Sequence, residues 1–458
     1  MLNRTQETAA QQLAEFAVAL TFDDLPESVV ARAKHCLIDA VACAVYGQRF
    51  PWSAMVLEEA VASGAGGPCQ LPGVIGSHLH VPQAALALGT FAHAFELDNL
   101  RKPGAGVHGG ATVALPAFVM AQACGANGRD LVTAIVAGIE VMFRIGAATL
   151  HSAEKVGFHG PGMTGPFGSA TACASLLRLS AAQTTNAFGI AGSLAGGLLA
   201  FAKSGSGGMV KRLHLGRAAE SGVIAARLAQ RGYEGPPSVL EGRYGLLEAF
   251  CEETDASLLT RGLGETWEID RLCIKRYASH VTTHVPVQML RAFIERHGFS
   301  GDDIDEIAID ASAKVVSHHS DPDPGDIMLA QYSVPFCLAL AAYYDPRDPD
   351  VFSDRTAADL RVRDLARRVR VTSDGGRKGW AAHIAVSLRD GRRFDDAQEV
   401  FLGCPETPMS EEQLRFKFER LCRDGRIKPA LFDVLMRIQD LPSIAAAMSQ
   451  MCSDVRDA

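Results

Sequence analysis

The chain has 458 residues, 48% hydrophobic and 21% charged, with a formal net charge of −8. That length supports more than one packed core, the composition is that of a globular protein, and the acidic balance excludes a general nucleic-acid-binding face. The eleven cysteines include no Cys-x-x-Cys pair, which argues for buried thiols in a reducing compartment and against a disulfide framework or a zinc site. The opening residues, MLNRTQETAAQQLAEF, are too polar for a signal peptide, and apolar runs read as broken before membrane-spanning length. A soluble, cytoplasmic protein is expected, with no nucleic-acid or membrane partner.

Leu13, Phe16, Ala17 and Leu20 mark the apolar face of a first helix. Pro26 opens a second, in which Cys36, Leu37 and Ala40 face inward and Asp39 reads as a satisfied structural partner. Residues 81–96 read as an Ala-rich helix and 112–124 as another, separated by a loop carrying Arg101, Lys102 and His108. A turn at 127–130 starts a helix over 131–150 with Glu140 in its apolar body. The glycines and prolines of 157–168 exclude regular structure, and helices resume at 169–179, 181–192 and 218–231. Alternation then appears at 304–310, 368–372 and 384–388, with an Asp390-Gly391 turn and a helix candidate over 331–344. A helix returns at 410–423, with Ser410 and Gln413 forming a capping box. The fold class expected is mainly α, with an α+β unit lying between helical segments.

Residues 204–216, SGSGGMVKRLHLG, are the strongest single signal. Four glycines, Gly207 and Gly208 among them, free the backbone to converge N–H groups on an anion, and Lys211, Arg212 and His214 add cationic groups. No Gly-Lys-Ser/Thr ends the run, so it is not a nucleotide P-loop. Four irregular segments each deliver a histidine or lysine: His108, His159, Lys211 with His214, and the run from Lys275 through His280 to His284. A metal held by His280 and His284 has little support, because the β-branched residues between them weaken the helix it needs. No GxSxG elbow and no strand-linked GxGxxG is present, so serine hydrolysis and dinucleotide binding are unsupported. A cationic pocket with imidazole and amine bases suits a small polyanion and a proton transfer beside a carboxylate.

In order along the chain, the segments DLPESVVARAKHCLIDAVACAVYG, HAFELDN, GFHGPGMTGPFGSA, AFGIAGSLAGGL, KRLHLGRAAESGVIAA, GPPSVLEGRYGLLEAF, KRYASHVTTH and GCPETPMSEEQLRFKF resemble the MmgE/PrpD family. That family includes 2-methylcitrate dehydratase, cis-aconitate decarboxylase and iminodisuccinate epimerase. The resemblance implies a large all-α helical domain built from both chain ends, 1–268 and 405–458, and an inserted α+β lid domain over 269–404. It implies a homodimer, a small di- or tricarboxylate substrate, a site between the two domains and no cofactor or metal. It carries catalytic roles onto His108, His159, Lys211 and His280.

Two departures stand out. Glu96-Leu97-Asp98-Asn99-Leu100 lacks the threonine that dehydratases and decarboxylases of the family carry, and Phe336 stands where the decarboxylase has a tyrosine. Both remove a hydroxyl that could deliver a proton or hold a leaving group. The pattern is therefore similar to the iminodisuccinate epimerase branch, with Lys102 added to the acid–base groups. Glu96, Asp98, Arg101, Arg212, His214, Gly207 and Gly208 are the expected substrate-binding residues. The leading expectation is a cofactor-independent isomerase that moves a proton next to a carboxylate. The alternatives are a lyase, 2-methylcitrate dehydratase-like or aconitate decarboxylase-like, and a catalytically silent carboxylate-binding protein.

Overall fold

A computed structural model of the chain describes residues 7–104, 107–202 and 208–453, with side chains through 449. Helices dominate and strands are few, so the fold is mainly α. Two compact units emerge: Met1–Ala94, Asp98–Cys273 and Glu411–Ala458 form one, Phe95–Leu97 and Ile274–Ser410 the other.

In the first unit, Thr8 and Gln11 form a capping box on the Ala9–Ala19 helix, which buries Leu13 and Ala17. Pro26 stands at the N-cap of Glu27–Gly47, where Cys36, Leu37 and Ala40 are fully buried. The Asn127 side chain accepts from the Asp130 N–H at 2.9 Å and starts Gly128–Ala148. This helix corrects the reading of short apolar runs. Among the described residues it is the one helix with the length and hydropathy to cross a membrane, and 94% of that window is buried within the protein. Its polar pair is anchored internally: Glu140 accepts from the Ile269 N–H at 3.0 Å, and Arg144 donates to the carbonyls of Arg261, Gly262 and Thr266.

Residues 157–168 are not irregular. Helix Gly160–Leu176 runs through most of them, with Pro161 in its first turn and Pro166 inside. The Gly162 carbonyl, which Pro166 leaves without a helical donor, accepts the Gly196 N–H at 3.1 Å instead. The glycines pack where side chains would collide: a Cβ on Gly168 would lie 2.7 Å from Val113 Cγ2. Close helix contact thus outweighs the low helical propensity of glycine.

The helix expected at 218–231 begins earlier and spans Val210–Gln230. Gly216 lets it lie against Val81–Ala92, since a Cβ there would come within 2.1 Å of Thr90 Oγ1. Val81–Ala92 itself ends four residues short of the expected 96, at His93. The helix expected from 112 starts as a π-helical turn, Gly110–Ala114, and continues as Leu115–Cys124. The first unit is also not wholly helical. Ala65–Gln70 pairs with His78–Leu79, and Leu100–Arg101 with Leu272–Cys273, in ribbons too short to show alternation in sequence.

The second unit holds a four-stranded sheet in the order Val369–Thr372, Ile304–Asp310, Ala382–Leu388, Arg393–Gln398. The first pair is parallel and the others antiparallel. Ile304, Ile307 and Ile309 are buried, and His284–His297 and Val334–Tyr343 pack against the sheet. The expected 331–344 helix starts at Val334, where the Ser333 hydroxyl accepts the Phe336 N–H at 3.0 Å.

Candidate active site

In the first unit, the chain leaves Val81–Ala92 at His93 and turns to bring Asp98, fully buried, between two imidazoles. His93 Nδ1 lies 2.9 Å from Asp98 Oδ1, and His108 Nδ1 lies 2.8 Å from Asp98 Oδ2. Burial alone would raise the Asp98 pKa; the two imidazoles, His108 foremost, outweigh it and hold the carboxyl well below its usual range. One ligand atom from each of the three lies within 4.8 Å of the others, a donor set that chemically suits zinc. The carboxylate itself, however, is hydrogen-bonded to His93 Nδ1 and in ion-pair contact with His108 Nδ1, so it holds both rings directly.

Asn99 fixes this arrangement. Its N–H and Nδ2 donate to Asp39 Oδ2 at 3.0 and 2.9 Å, while its Oδ1 accepts the Gly110 N–H at 2.8 Å. One side chain therefore ties the residue after Asp98 to the turn after His108. Asp39 is in turn paired with Lys417 of the Glu411–Leu421 helix. Burial pushes the Asp39 carboxyl up, yet three donors favour the carboxylate. Desolvation works against Lys417 likewise, and Asp39 more than offsets it, keeping the ammonium above its ordinary pKa.

A second imidazole pair adjoins the first. His159 is the N-cap of Gly160–Leu176, its N–H donates to the Gly197 carbonyl at 2.9 Å, and its Nδ1 lies 3.0 Å from His214 Nδ1. Phe201 meets both rings edge-on. Gly197 has φ +123°, and a Cβ there would stand 3.1 Å from His214 Nδ1. The ring centroids of His93 and His108 are 4.9 Å apart and those of His93 and His159 are 6.4 Å apart, so four imidazoles run in file. Burial, then Lys211, then the neighbouring histidines push the His159 pKa well below that of free imidazole. Burial and Lys211 lower that of the half-buried His214.

Lys211 and Arg212 are themselves buried. Arg212 Nη1 donates to the Gly208 carbonyl at 3.0 Å, and its buried Nη2 has no hydrogen-bond partner among the described residues. Contrary to the reading of irregular segments, these residues stand at helix beginnings. His108 precedes the Gly110–Ala114 turn, His159 caps Gly160–Leu176, and Lys211 is the second residue of Val210–Gln230. Helix N-termini disfavour imidazolium and favour bound anions.

His280 and Glu96 belong to the second unit and are part of a cluster within it. Glu96, with φ +55°, is clamped on several sides. Lys275 Nζ donates to its carbonyl at 3.0 Å and to Oε2 at 3.2 Å, and the Tyr332 hydroxyl donates to Oε1. Gln331 Nε2 donates to the neighbouring Phe95 carbonyl at 3.1 Å. The His280 ring stacks on His319 at 4.3 Å and on Tyr332 at 5.3 Å. Burial brings His319 down to about 4, so it is neutral at pH 7. His284 does not share a ligand face with His280: its Nε2 accepts the Tyr277 N–H at 3.2 Å.

Of the other expected residues, Arg101 pairs with Glu268 at 2.7 Å, so its charge serves the first unit's own structure. Lys102 is half-buried, and its N–H donates to the Arg271 carbonyl. Gly207 lies outside the described residues, as does the start of the glycine run; Gly208 is described through its contact with Arg212. Lys275 opens the KRYASHVTTH run, whereas His93, His319 and Tyr332 were not singled out. His93 carried a signal, five residues before Asp98 in the same motif, whereas Tyr332 read as part of an apolar helix.

Comparison with known proteins supports this reading of the motifs. The chain is similar to "Cis-aconitate decarboxylase" of Aspergillus terreus, 28% identical with 97% of this chain and 96% of that protein covered. It is similar to the protein of the same name in Mus musculus, 24% identical with 95% and 91% covered. The Homo sapiens protein of that name is 28% identical over 73% of this chain and 71% of its own length. The MmgE/PrpD N-terminal domain model matches residues 11–259 and the C-terminal domain model 277–429. By motifs, by the two domain matches and by these relatives, the chain belongs to the MmgE/PrpD family.

Proposed function

We propose that the protein is a lyase that acts on a small tricarboxylate such as cis-aconitate, without a cofactor, by breaking a bond next to a carboxylate and protonating the carbon left behind. The observation that carries this reading lies within the first unit: four imidazoles in file beside Lys211 and Arg212, at the beginnings of helices. Lys211, Arg212 and the helix N-termini supply positive charge where carboxylates must bind. In the decarboxylating form, one carboxylate leaves as CO2 and its bonding electron pair takes a proton from an imidazole N–H, with His159 the donor and the Asp98-oriented His108 its counterpart. The names of the relatives favour this lyase reading over the isomerase that the sequence departures suggested.

The isomerase argument rested on two missing hydroxyls, at Leu100 and Phe336. Phe336 is indeed buried and apolar, yet Tyr332, four residues earlier, brings a phenol to Glu96 in the second unit. A homodimer in the cytoplasm remains part of the proposal, and sedimentation velocity tests the dimer. The activity test is incubation with cis-aconitate, 2-methylcitrate and iminodisuccinate in deuterated water. Release of CO2 or a change in alkene absorbance with a tricarboxylate is expected. Deuterium exchange on iminodisuccinate alone, with the tricarboxylates untouched, would replace the lyase by the isomerase.

A further inference from the structure

From the His159–His214 contact we infer that the two imidazoles form a proton-transfer pair, in which His214 stores the extra proton and His159 hands one on to the substrate. This rests on the reading of His159 as the proton donor given above. Two Nδ1 atoms 3.0 Å apart hold one hydrogen between them, so one ring donates and the other accepts. The surroundings decide which. His159 is 6% exposed, and His214 is the half-buried member of the pair. The titratable groups that act on His159 besides His214 are Lys211, His93 and His108, and Lys211 acts on His214 as well. With that ammonium nearby and a helix N-terminus at its own backbone, His159 is a poor place for a second proton. An extra proton is placed at lower cost on the more exposed His214, on Nε2. His214 Nδ1–H must then donate to His159 Nδ1, which leaves His159 with its hydrogen on Nε2.

In the relay step His159 Nε2–H gives its proton to the substrate carbon while His214 Nδ1–H passes its own to His159 Nδ1. The donor ring ends as the neutral Nδ1–H tautomer, and imidazolium His214 ends as neutral imidazole with its hydrogen on Nε2. Once product leaves, a solvent proton enters at His159 Nε2 while the Nδ1 hydrogen returns to His214 Nδ1, which restores neutral His159 and imidazolium His214. At no stage does the buried ring carry two protons. The Gly197 geometry fits this role: its carbonyl anchors the His159 backbone, and the missing Cβ leaves room for His214 Nδ1.

The test begins without substrate, on the full chain labelled with 15N-histidine and with His159→Gln to assign the signal. His159 is expected to be neutral in the Nε2–H tautomer, and His214→Phe, which keeps a ring but no nitrogen, is expected to abolish that single-tautomer signature. A resting Nδ1–H tautomer or a cationic His159 overturns the relay. On turnover, His214→Phe is expected to lower kcat by ~100-fold, the lower end for losing a general acid, with KM little changed. It is also expected to remove the rise of kcat toward acid pH that protonation of His214 produces. A kcat with unchanged size and pH profile in a folded variant overturns the proposal. Absence of any tricarboxylate turnover in the wild type would reject the lyase reading and leave the tautomer result to stand by itself.

Discussion

Asp98 and His93 stand 2.9 Å apart, Oδ1 to Nδ1, and the other carboxylate oxygen holds His108 at 2.8 Å. A fully buried anion that is hydrogen-bonded to one imidazole and in ion-pair contact with the other orients both rings. Asp98→Asn keeps the shape but turns one acceptor into a donor, so one of the two rings takes the wrong tautomer. Turnover is expected to fall by at least ~100-fold, with a native circular dichroism spectrum. Wild-type turnover in the folded variant would remove the pair from catalysis.

Lys417 and Asp39 form a buried pair that Asn99 connects to the same carboxylate. Lys417→Met leaves Asp39 without its counter-charge and is expected to destabilise the protein by about 3–5 kcal/mol. Urea unfolding measures it. Adding Asp39→Asn to Lys417→Met is expected to recover part of the loss, as coupled sites do. Strictly additive effects would show that the two do not interact.

Burial raises the Glu140 pKa to about 7 from an ordinary 4.5. The folded chain therefore binds more protons than the unfolded chain between those values, and this contribution to stability is full below pH 4.5 and is lost as pH rises through 7. A shift of that size corresponds to about 3 kcal/mol. Glu140→Gln is expected to flatten the stability profile in this window. The same slope in the variant would place its origin elsewhere.

Gly216 lies against Val81–Ala92, where a Cβ would meet Thr90 Oγ1 at 2.1 Å and the Leu86 carbonyl at 2.4 Å. Gly216→Ala is expected to cost about 1–3 kcal/mol through overpacking. Gly298→Ala, at a helix end where a Cβ meets nothing within 4 Å, carries only the strain of φ +65°. Melting temperatures compare the two; equal losses would mean that contact with Thr90 is not the cause.

Local patterns in the chain were legible where one element decides its own form. Strand Ile304–Asp310 alternates in burial from Ile307 onward, and Asn127 announces the helix it caps. Where neighbours decide, the pattern misled. Gly160–Leu176 is rich in helix-disfavouring residues, and it is helical because its glycines meet Val113 and Ala218 and because Gly196 satisfies the carbonyl opposite Pro166. The candidate site divides along the same line. His108, His159, Lys211 and His214 were visible as histidines and cations beside glycines. The Asp98 grip on two rings and the phenol of Tyr332 on Glu96 depend on distances that no motif spacing encodes.

Because Lys417 neutralises a carboxylate 378 residues before it, the order of synthesis matters. At about 5–20 residues per second the ribosome delivers that lysine roughly 20–75 s after Asp39. During that interval the emerging amino-terminal helices carry an uncompensated acid at their centre. The histidine array can therefore set only near the end of translation, and a nascent or prematurely terminated chain that stops before the Glu411–Leu421 helix is a natural client for chaperones and proteases.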